Sequence, residues 1–501
     1  MIPPTDARDA ERFRAAIVRR LGLRFEDAKL EFLGEVLQRR LEKLKQPSDT
    51  YLRRLEDGSM SDDIGMLARD LTVGETYFFR NNDQFRALAE IVLPERLRAQ
   101  ATSKALRLLS AGCASGEEAY SIAMVVRETI PDPTWSVSIR AVDINPAMLE
   151  KAARARFSAW ALRETPPEIQ AKWFRPEGQD MILQEAVRAA VKFEERNLAT
   201  DDAELWQPAA YDVIFCRNVV MYFAPDQARA LMARITRSLA PGGYLFLGHA
   251  ETLRGLSDGF HLRHTHETFY YERKEHIGHP VAWPGQVRPQ FIPPASVATF
   301  TDAWVDAIRE ASERIEALIP ARVATRLPDV TAPPARDMAG ALDLLRNERF
   351  TEALAYVRDL PPGSGRDPDA LLLEAMLLAH GGDLVAAEDT CGRLLMVDEL
   401  NAGAHYVLAL CRENSADRAG AAEHDRVAVY LDPTFAMPRL HLGLLARHAG
   451  DRNTARRELE QALLLLRSED PSRLLLFGGG FNREALIVLC RSALRDCGGQ
   501  P

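Results

Sequence analysis

Between residues 9 and 70 apolar side chains recur at three- and four-residue spacing, first Phe13, Ile17 and Leu21, then Leu30, Leu33, Leu37, Leu41 and Leu44. That spacing lines one face of a helix and predicts a small helical domain over residues 1–70. From about 105 to 273 the pattern changes. Strand-like apolar runs at Leu106–Ser110, Val137–Val142, Tyr211–Cys216, Tyr244–Gly248 and Phe269–Tyr271 alternate with helical stretches such as Ala228–Leu239. Such alternation predicts an α/β domain with a mostly parallel sheet, bounded at 71–275. Pro241-Gly242-Gly243 reads as a tight turn between that helix and the next strand.

Residues 276–333 read as a linker: Pro280, Pro284, Pro289, Pro293 and Pro294 interrupt any periodicity, and an amphipathic helix is predicted over Trp304–Leu318. Beyond it the chain repeats. Ala353, Ala387, Ala421 and Ala455 lie 34 residues apart, and twelve residues before each stands another small residue, Ala341, Ala375, Ala409 or Gly443. Small residues in this register, where paired helices touch, predict an α-solenoid of four tetratricopeptide repeats over 334–469, with Leu431-Asp432-Pro433 as a repeat end. Arg412 and Asp425 fall where apolar residues are usual. Residues 470–501 are expected to supply a cap, Asn482–Leu494, and a tail.

The 501 residues, 47% of them apolar, suffice for about three domains with real cores. No run approaches the ~18 apolar residues of a membrane span, and no apolar segment follows a basic N-terminal stretch. A cytoplasmic protein without membrane insertion is therefore expected. The six cysteines form no C-x-x-C pair, so neither a disulfide framework nor a zinc site is expected. A net charge of −9 gives no global attraction to nucleic acid.

The chemistry concentrates at residues 106–118, Leu-Arg-Leu-Leu-Ser-Ala-Gly-Cys-Ala-Ser-Gly-Glu-Glu, where an apolar strand enters a turn of small residues and opens a helix. Gly112 and Gly116 let a ligand approach the main chain. Glu117 and Glu118 at the helix start would repel a pyrophosphate, and neither G-x-G-x-x-G nor G-K-[ST] is present. A cationic, hydroxyl-bearing ligand such as S-adenosylmethionine fits better. One βα unit later Asp143 ends a strand, either to accept ribose hydroxyls or to cap the helix near Pro146. A further cluster, Cys216-Arg217-Asn218-Val219-Val220-Met221-Tyr222-Phe223, follows a strand at its C-terminal end, and Leu71–Arg80 delivers a Thr, aromatic residues and an Arg. Cys216 reads as a buried strand residue, and His261, His264 and His266 as surface polar groups with no metal site. Arg39, Arg40 and Lys43 share a helix face, with Glu42 interleaved.

In combination these motifs resemble the chemotaxis receptor methyltransferases, the CheR family, over about residues 10–273. The resemblance rests on Thr76-x-Phe78-Phe79-Arg80, Gly112–Ala123, Asp143-Ile144, Cys216-Arg217-Asn218-Val219-x-x-Tyr222-Phe223 and Leu239-x-Pro241-Gly242-Gly243-x-Leu245-x-Leu247-Gly248-His249. It implies a Rossmann-like class I methyltransferase domain with a small antiparallel insertion at about 158–191. It also implies methyl transfer from S-adenosylmethionine to glutamate side chains in the cytoplasmic domain of a methyl-accepting chemoreceptor, leaving S-adenosylhomocysteine. Carried over by position, Thr76, Arg80, Glu117, Asp143, Asn197, Leu198, Arg217 and Asn218 contact the cofactor, and Arg80 and Tyr222 stand beside the methyl group. In this family basic residues of the N-terminal helix face acidic receptor helices. Gly74, Ala119 and Ala250 depart from the pattern, which has Asn, Pro and Ser there. The repeats are expected to bind a further protein partner. The alternative reading is a methyltransferase-like scaffold of little turnover that acts through its repeats.

Overall fold

The computed structural model describes residues 6–72, 74–275, 338–346, 349–360, 367–479 and 481–498. The predicted linker and its Trp304–Leu318 helix lie outside these residues. The chain divides into two units, Met1–Gly278 and His279–Pro501.

The first unit opens with four helices, α1 (Ala7–Leu21), α2 (Leu30–Leu44), α3 (Ser48–Asp57) and α4 (Ser61–Leu71). Phe13, Ile17, Leu33, Leu37, Tyr51, Leu52 and Leu67 form their shared core. One expectation fails here. Arg40 does not join Arg39 and Lys43 on a basic face but is buried on the α2 face that carries Leu33, Val36, Leu37 and Leu41, and it pairs with buried Asp63. Tyr51 donates its hydroxyl to the same carboxylate at 2.7 Å, and burial holds the phenol up at about 12.

After α5 (Asn82–Ala87) and α6 (Leu93–Ala99) come β1 (Ala105–Ala111), α7 (Glu117–Thr129), β2 (Ser136–Asp143), α8 (Pro146–Arg154), β3 (Arg156–Ser158), α9 (Pro167–Trp173), β4 (Phe174–Glu177) and β5 (Asp180–Leu183). The unit continues with α10 (Glu185–Arg188), β6 (Val191–Glu195), β7 (Tyr211–Cys216), α11 (Pro225–Ser238), β8 (Leu239–Leu247), β9 (Phe260–Thr265) and β10 (Thr268–Arg273). Among the described residues the main sheet has seven strands in the order β6-β2-β1-β7-β8-β10-β9. The first five are parallel, and β10 runs antiparallel to both β8 and β9. The chain winds outward from β1 in one direction and from β7 in the other, so the switch point falls between them, where ligands of such sheets sit.

Two boundaries move. The insertion is the antiparallel sheet β3-β5-β4 and ends at Leu183, because Val191 already pairs in parallel with Ile139 as part of the main sheet. Pro241-Gly242-Gly243 lies inside β8, in a bulge rather than a free turn: Leu239 pairs with Tyr211 and Tyr244 with Val213. Arg96 holds that bulge, donating to the carbonyls of Pro241 and Gly242 while it pairs with buried Asp212 at 2.8 Å.

The second unit is helical. Its pairs are α12 (Met338–Arg346) with α13 (Phe350–Arg358), α14 (Pro368–His380) with α15 (Leu384–Val397), α16 (Ala402–Asn414) with α17 (Arg418–Leu431), and α18 (Ala436–His448) with α19 (Arg452–Leu466). The second helices start at Phe350, Leu384, Arg418 and Arg452, on the period read from the alanines. Asp383, Asp417 and Asp451 keep the same period, each accepting a backbone N–H as helix cap. Ala353, Ala387, Ala421 and Ala455 have no exposed surface, and a Cβ on Gly443 would stand 2.6 Å from Leu459. Small residues therefore set the approach of paired helices. Two helices follow, α20 (Pro471–Phe477) and α21 (Arg483–Asp496), the latter capped by Asn482 and packed on α19.

Candidate active site

Parallel pairing places Ser110 beside Ala141 and Phe215, so the loops after β1, β2 and β7 emerge together. Gly112, at φ 82°, is where two of them touch: a Cβ there would lie 2.4 Å from Cγ2 of Val219. No other residue permits both that angle and that approach. The β1 loop is fastened to β2 through Asp143, whose Oδ2 accepts the Ala114 N–H at 2.9 Å and whose Oδ1 accepts that of Asn145 at 2.8 Å. Asn145, not Asp143, caps α8. Glu117 is buried, accepts the Ser115 hydroxyl at 2.9 Å, and like Asp143 has its carboxyl pKa raised by burial.

Glu118 turns the other way. It accepts the Ser110 hydroxyl at 2.7 Å and pairs at 3.2 Å with Arg217, directly after β7. Burial raises the Glu118 pKa and lowers that of Arg217, and their mutual attraction opposes both shifts. The other end of the guanidinium donates to the Arg80 carbonyl at 2.5 Å. Arg217 thus holds the backbone of Arg80, between two left-handed residues, Phe79 at φ 56° and Asn81 at φ 60°. Such angles cost about 1–3 kcal/mol each away from glycine. Packing of the Phe79 ring on Phe85 and the Phe79 N–H donated to the Ser121 hydroxyl at 3.1 Å sustain them. The half-buried Arg80 guanidinium donates to the Glu75 carbonyl at 3.0 Å, and no carboxylate among the described residues pairs with it.

The loop after β7 is organised by Glu251, a residue that periodicity does not single out. Its buried carboxylate accepts the N–H groups of Asn218, Val219, Met221 and Gly248 at 2.7–3.1 Å. Asn218 is itself left-handed, at φ 55°. The available signal was an acid at the end of the Gly248-His249-Ala250-Glu251 run. Tyr222 follows in a short 3-10 turn, 43% exposed, with its carbonyl accepting the Arg24 N–H at 2.8 Å. The N-terminal helices meet this loop through Gly22, whose missing side chain admits the Phe223 ring.

Of the residues carried over from the family, Arg80, Glu117, Asp143, Arg217, Asn218 and Tyr222 gather at this sheet end, and half-buried Thr76 lies in the Arg80 segment. Asn197 differs, because its amide donates to the Arg20 carbonyl of α1 at 2.7 Å and its Oδ1 accepts the Ala199 N–H. The carbonyl of buried Leu198 accepts from Arg234. Cys216 is fully buried, with its thiol pKa pushed up. His261 and His264 lie on β9, where His264 stacks on Phe269, and His266 bonds Glu90 at 2.9 Å.

Two carboxylates, buried Glu117 and half-buried Asp143, neither in an ion pair among the described residues, suit hydroxyl and cationic groups and disfavour a phosphate. S-adenosylmethionine fits that acceptor set. The CheR methyltransferase SAM-binding domain family matches residues 74–269. The chain is 36% identical over 275 residues to chemotaxis protein methyltransferase 2 of Vibrio cholerae, covering 53% of this chain and 93% of that one. A chemotaxis protein methyltransferase of Vibrio parahaemolyticus is 33% identical, over 54% of this chain and 98% of its own. "Probable biofilm formation methyltransferase WspC" of Pseudomonas putida is 28% identical across 90% of this chain and 97% of its own, the helical unit included.

Proposed function

We propose that this chain, which belongs to the CheR methyltransferase family, transfers the methyl group of S-adenosylmethionine to glutamate side chains in the cytoplasmic domain of a chemoreceptor-type signalling protein. The observation that carries the reading is the presentation of Arg80: two strained residues and buried Arg217, paired with Glu118, hold its backbone, while its guanidinium has no carboxylate partner among the described residues. A cation fixed in this way suits an incoming carboxylate.

S-adenosylmethionine, when bound, supplies an electrophilic methyl group. Asp143 and Glu117 would hold its hydroxyl and ammonium groups, with Thr76, Asn218 and the Leu198 backbone around it. Asn197 and Arg217, whose side chains are engaged within the protein, would act by shaping the site. A glutamate carboxylate, with an ordinary pKa of about 4.3, is ionised at neutral pH and needs no general base. Arg80 would hold one of its oxygens by a charge-assisted hydrogen bond and Tyr222 would donate to it as well, leaving a lone pair free to attack. We place the protein in the cytoplasm, where that acceptor domain lies; no helix among the described residues is long and apolar enough to cross a membrane. The helix pairs from Met338 to Leu466, read as tetratricopeptide repeats, would bind a further protein segment.

Radiolabelled methyl transfer to a purified chemoreceptor cytoplasmic fragment tests the reading. The wild type is expected to deposit base-labile label. Arg80→Ala should nearly abolish it, and Tyr222→Phe should lower kcat about tenfold with unchanged S-adenosylhomocysteine affinity. A wild type that binds no S-adenosylhomocysteine by calorimetry, or transfers nothing, overturns it.

A further inference from the structure

Beside Arg80 the surface carries a stack that the cofactor site does not use. The guanidinium of Arg163 lies 3.6 Å from the ring centroid of Tyr77 and 4.6 Å from that of Trp160, and the Arg80 guanidinium lies 5.7 Å from the same Tyr77 ring. Trp160 is 72% exposed. It stands outward because its neighbours in the 3-10 turn Ala159–Leu162, Ala161 and Leu162, are buried. The turn is bonded to the Arg80 segment through the Phe78 N–H, which donates to the Ala161 carbonyl at 2.9 Å. Arg163 also donates to the Trp160 carbonyl at 3.0 Å, and no carboxylate among the described residues forms an ion pair with it.

We propose that Trp160, Arg163 and Tyr77 form a docking shelf for the acceptor protein, gripping the segment next to the methylated glutamate, with Arg163 pairing to a second carboxylate of that segment. The proposal rests on the function given above and adds how the acceptor is recognised.

Three features support it. The shelf is continuous with the reacting end of the site through the Tyr77 ring and the Phe78–Ala161 hydrogen bond. Its charge fits an acidic segment, since neither Arg80 nor Arg163 has a carboxylate partner among the described residues, while the nearby Glu164 bonds the Tyr77 hydroxyl instead. In a chain of net charge −9 such a spot favours an acidic partner locally. Its side chains also fit a protein rather than a small acceptor. A mostly exposed Trp and an Arg sandwiched between rings form the kind of anchor that dominates protein interfaces, and the sandwich already restricts the Arg rotamers that binding would otherwise have to freeze.

The test uses the full chain and initial rates of methyl transfer to a chemoreceptor cytoplasmic fragment at varied fragment concentration. Trp160→Ala and Arg163→Gln should each raise the KM for the fragment about three- to tenfold, leaving kcat and S-adenosylhomocysteine affinity unchanged. Added salt should raise the wild-type KM more steeply than that of Arg163→Gln, and Arg163→Lys should restore the salt dependence. Unchanged KM in both variants beside an active wild type overturns the shelf alone, as does a loss confined to kcat or to cofactor affinity. A wild type that methylates nothing overturns the underlying function and the shelf with it.

Discussion

Each unit of this protein buries a carboxylate at a junction, and the two are used differently. In the first, Glu251 accepts four backbone N–H groups from Asn218, Val219, Met221 and Gly248, none of which belongs to a helix ladder. In the second, Asp425 of α17 faces His441 of α18 at 2.7 Å, and His441 also meets Glu413 of α16 at 2.8 Å. Glu251 therefore gives irregular backbone a fixed shape, whereas Asp425 ties together helices that are already regular. Where the chain must hold a loop in one conformation for chemistry, the acid satisfies main-chain donors. Where it must hold one helix pair to the next, the acid meets a side-chain cation.

The sharpest way to break this contrast is Glu251→Ala. Four main-chain donors lose their acceptor, at about 1–3 kcal/mol for each that water cannot reach. Methyl transfer should fall by at least about a hundredfold together with cofactor affinity, because the loop bearing Asn218 and Tyr222 loses its shape. Transfer assays and S-adenosylhomocysteine calorimetry read both, and near-normal values for the variant would show that the loop holds itself.

A smaller effect is expected from His441→Ala, which leaves buried Asp425 and half-buried Glu413 together without their cation. The second unit should lose about 3 kcal/mol of stability in a denaturant melt, with the first unit unaffected. The pH dependence sharpens the assignment. Burial works against the His441 charge, but Asp425 and Glu413 outweigh it and hold its pKa up at about 10, while burial pushes Asp425 up to about 6. A histidine pKa raised on folding contributes stability that is complete below its ordinary value of about 6.5 and is lost as pH rises through the raised one. The melting temperature of the wild-type second unit should thus decline between pH 6.5 and about 10, and the decline should be absent in His441→Ala. A parallel decline in both would remove the role given to His441.

The smallest effect should follow the largest excision. A fragment of residues 1–275 keeps every element of the sheet and its loops, so it should fold, bind S-adenosylhomocysteine and methylate a soluble receptor fragment within about threefold of the full chain. Loss of transfer with cofactor binding intact would make the helix pairs part of the acceptor site.

Much of this was legible in advance where a side chain acts through local spacing. Period-34 alanines announced the helix pairs, and alternating apolar runs announced β1, β2 and β7, because both patterns report burial against a regular neighbour. The strands that were missed, β6 and β9, are the edges of the sheet and carry mixed, half-polar sequence. Arg40 misled because a cation on a helix gives no local sign that Asp63 waits for it on another helix. The amide of Asn197 gave no local sign of its partner either, since the Arg20 carbonyl it meets lies 177 residues away.

The sequence by itself determined which residues can do the chemistry: an Arg after two aromatics, two acids at a glycine-rich turn, an acid ending the next strand. Only the tertiary structure decided what each of them is free to do. It committed Arg217 to Glu118 and to the Arg80 carbonyl, turned Asn197 toward α1, gave the α8 cap to Asn145 while Asp143 holds the β1 loop, and left Arg80 without a carboxylate among the described residues. The physical reason is that hydrogen-bond capacity is finite. A side chain's type sets how many partners it can take, and only the packing of distant segments sets how many of those places are already filled.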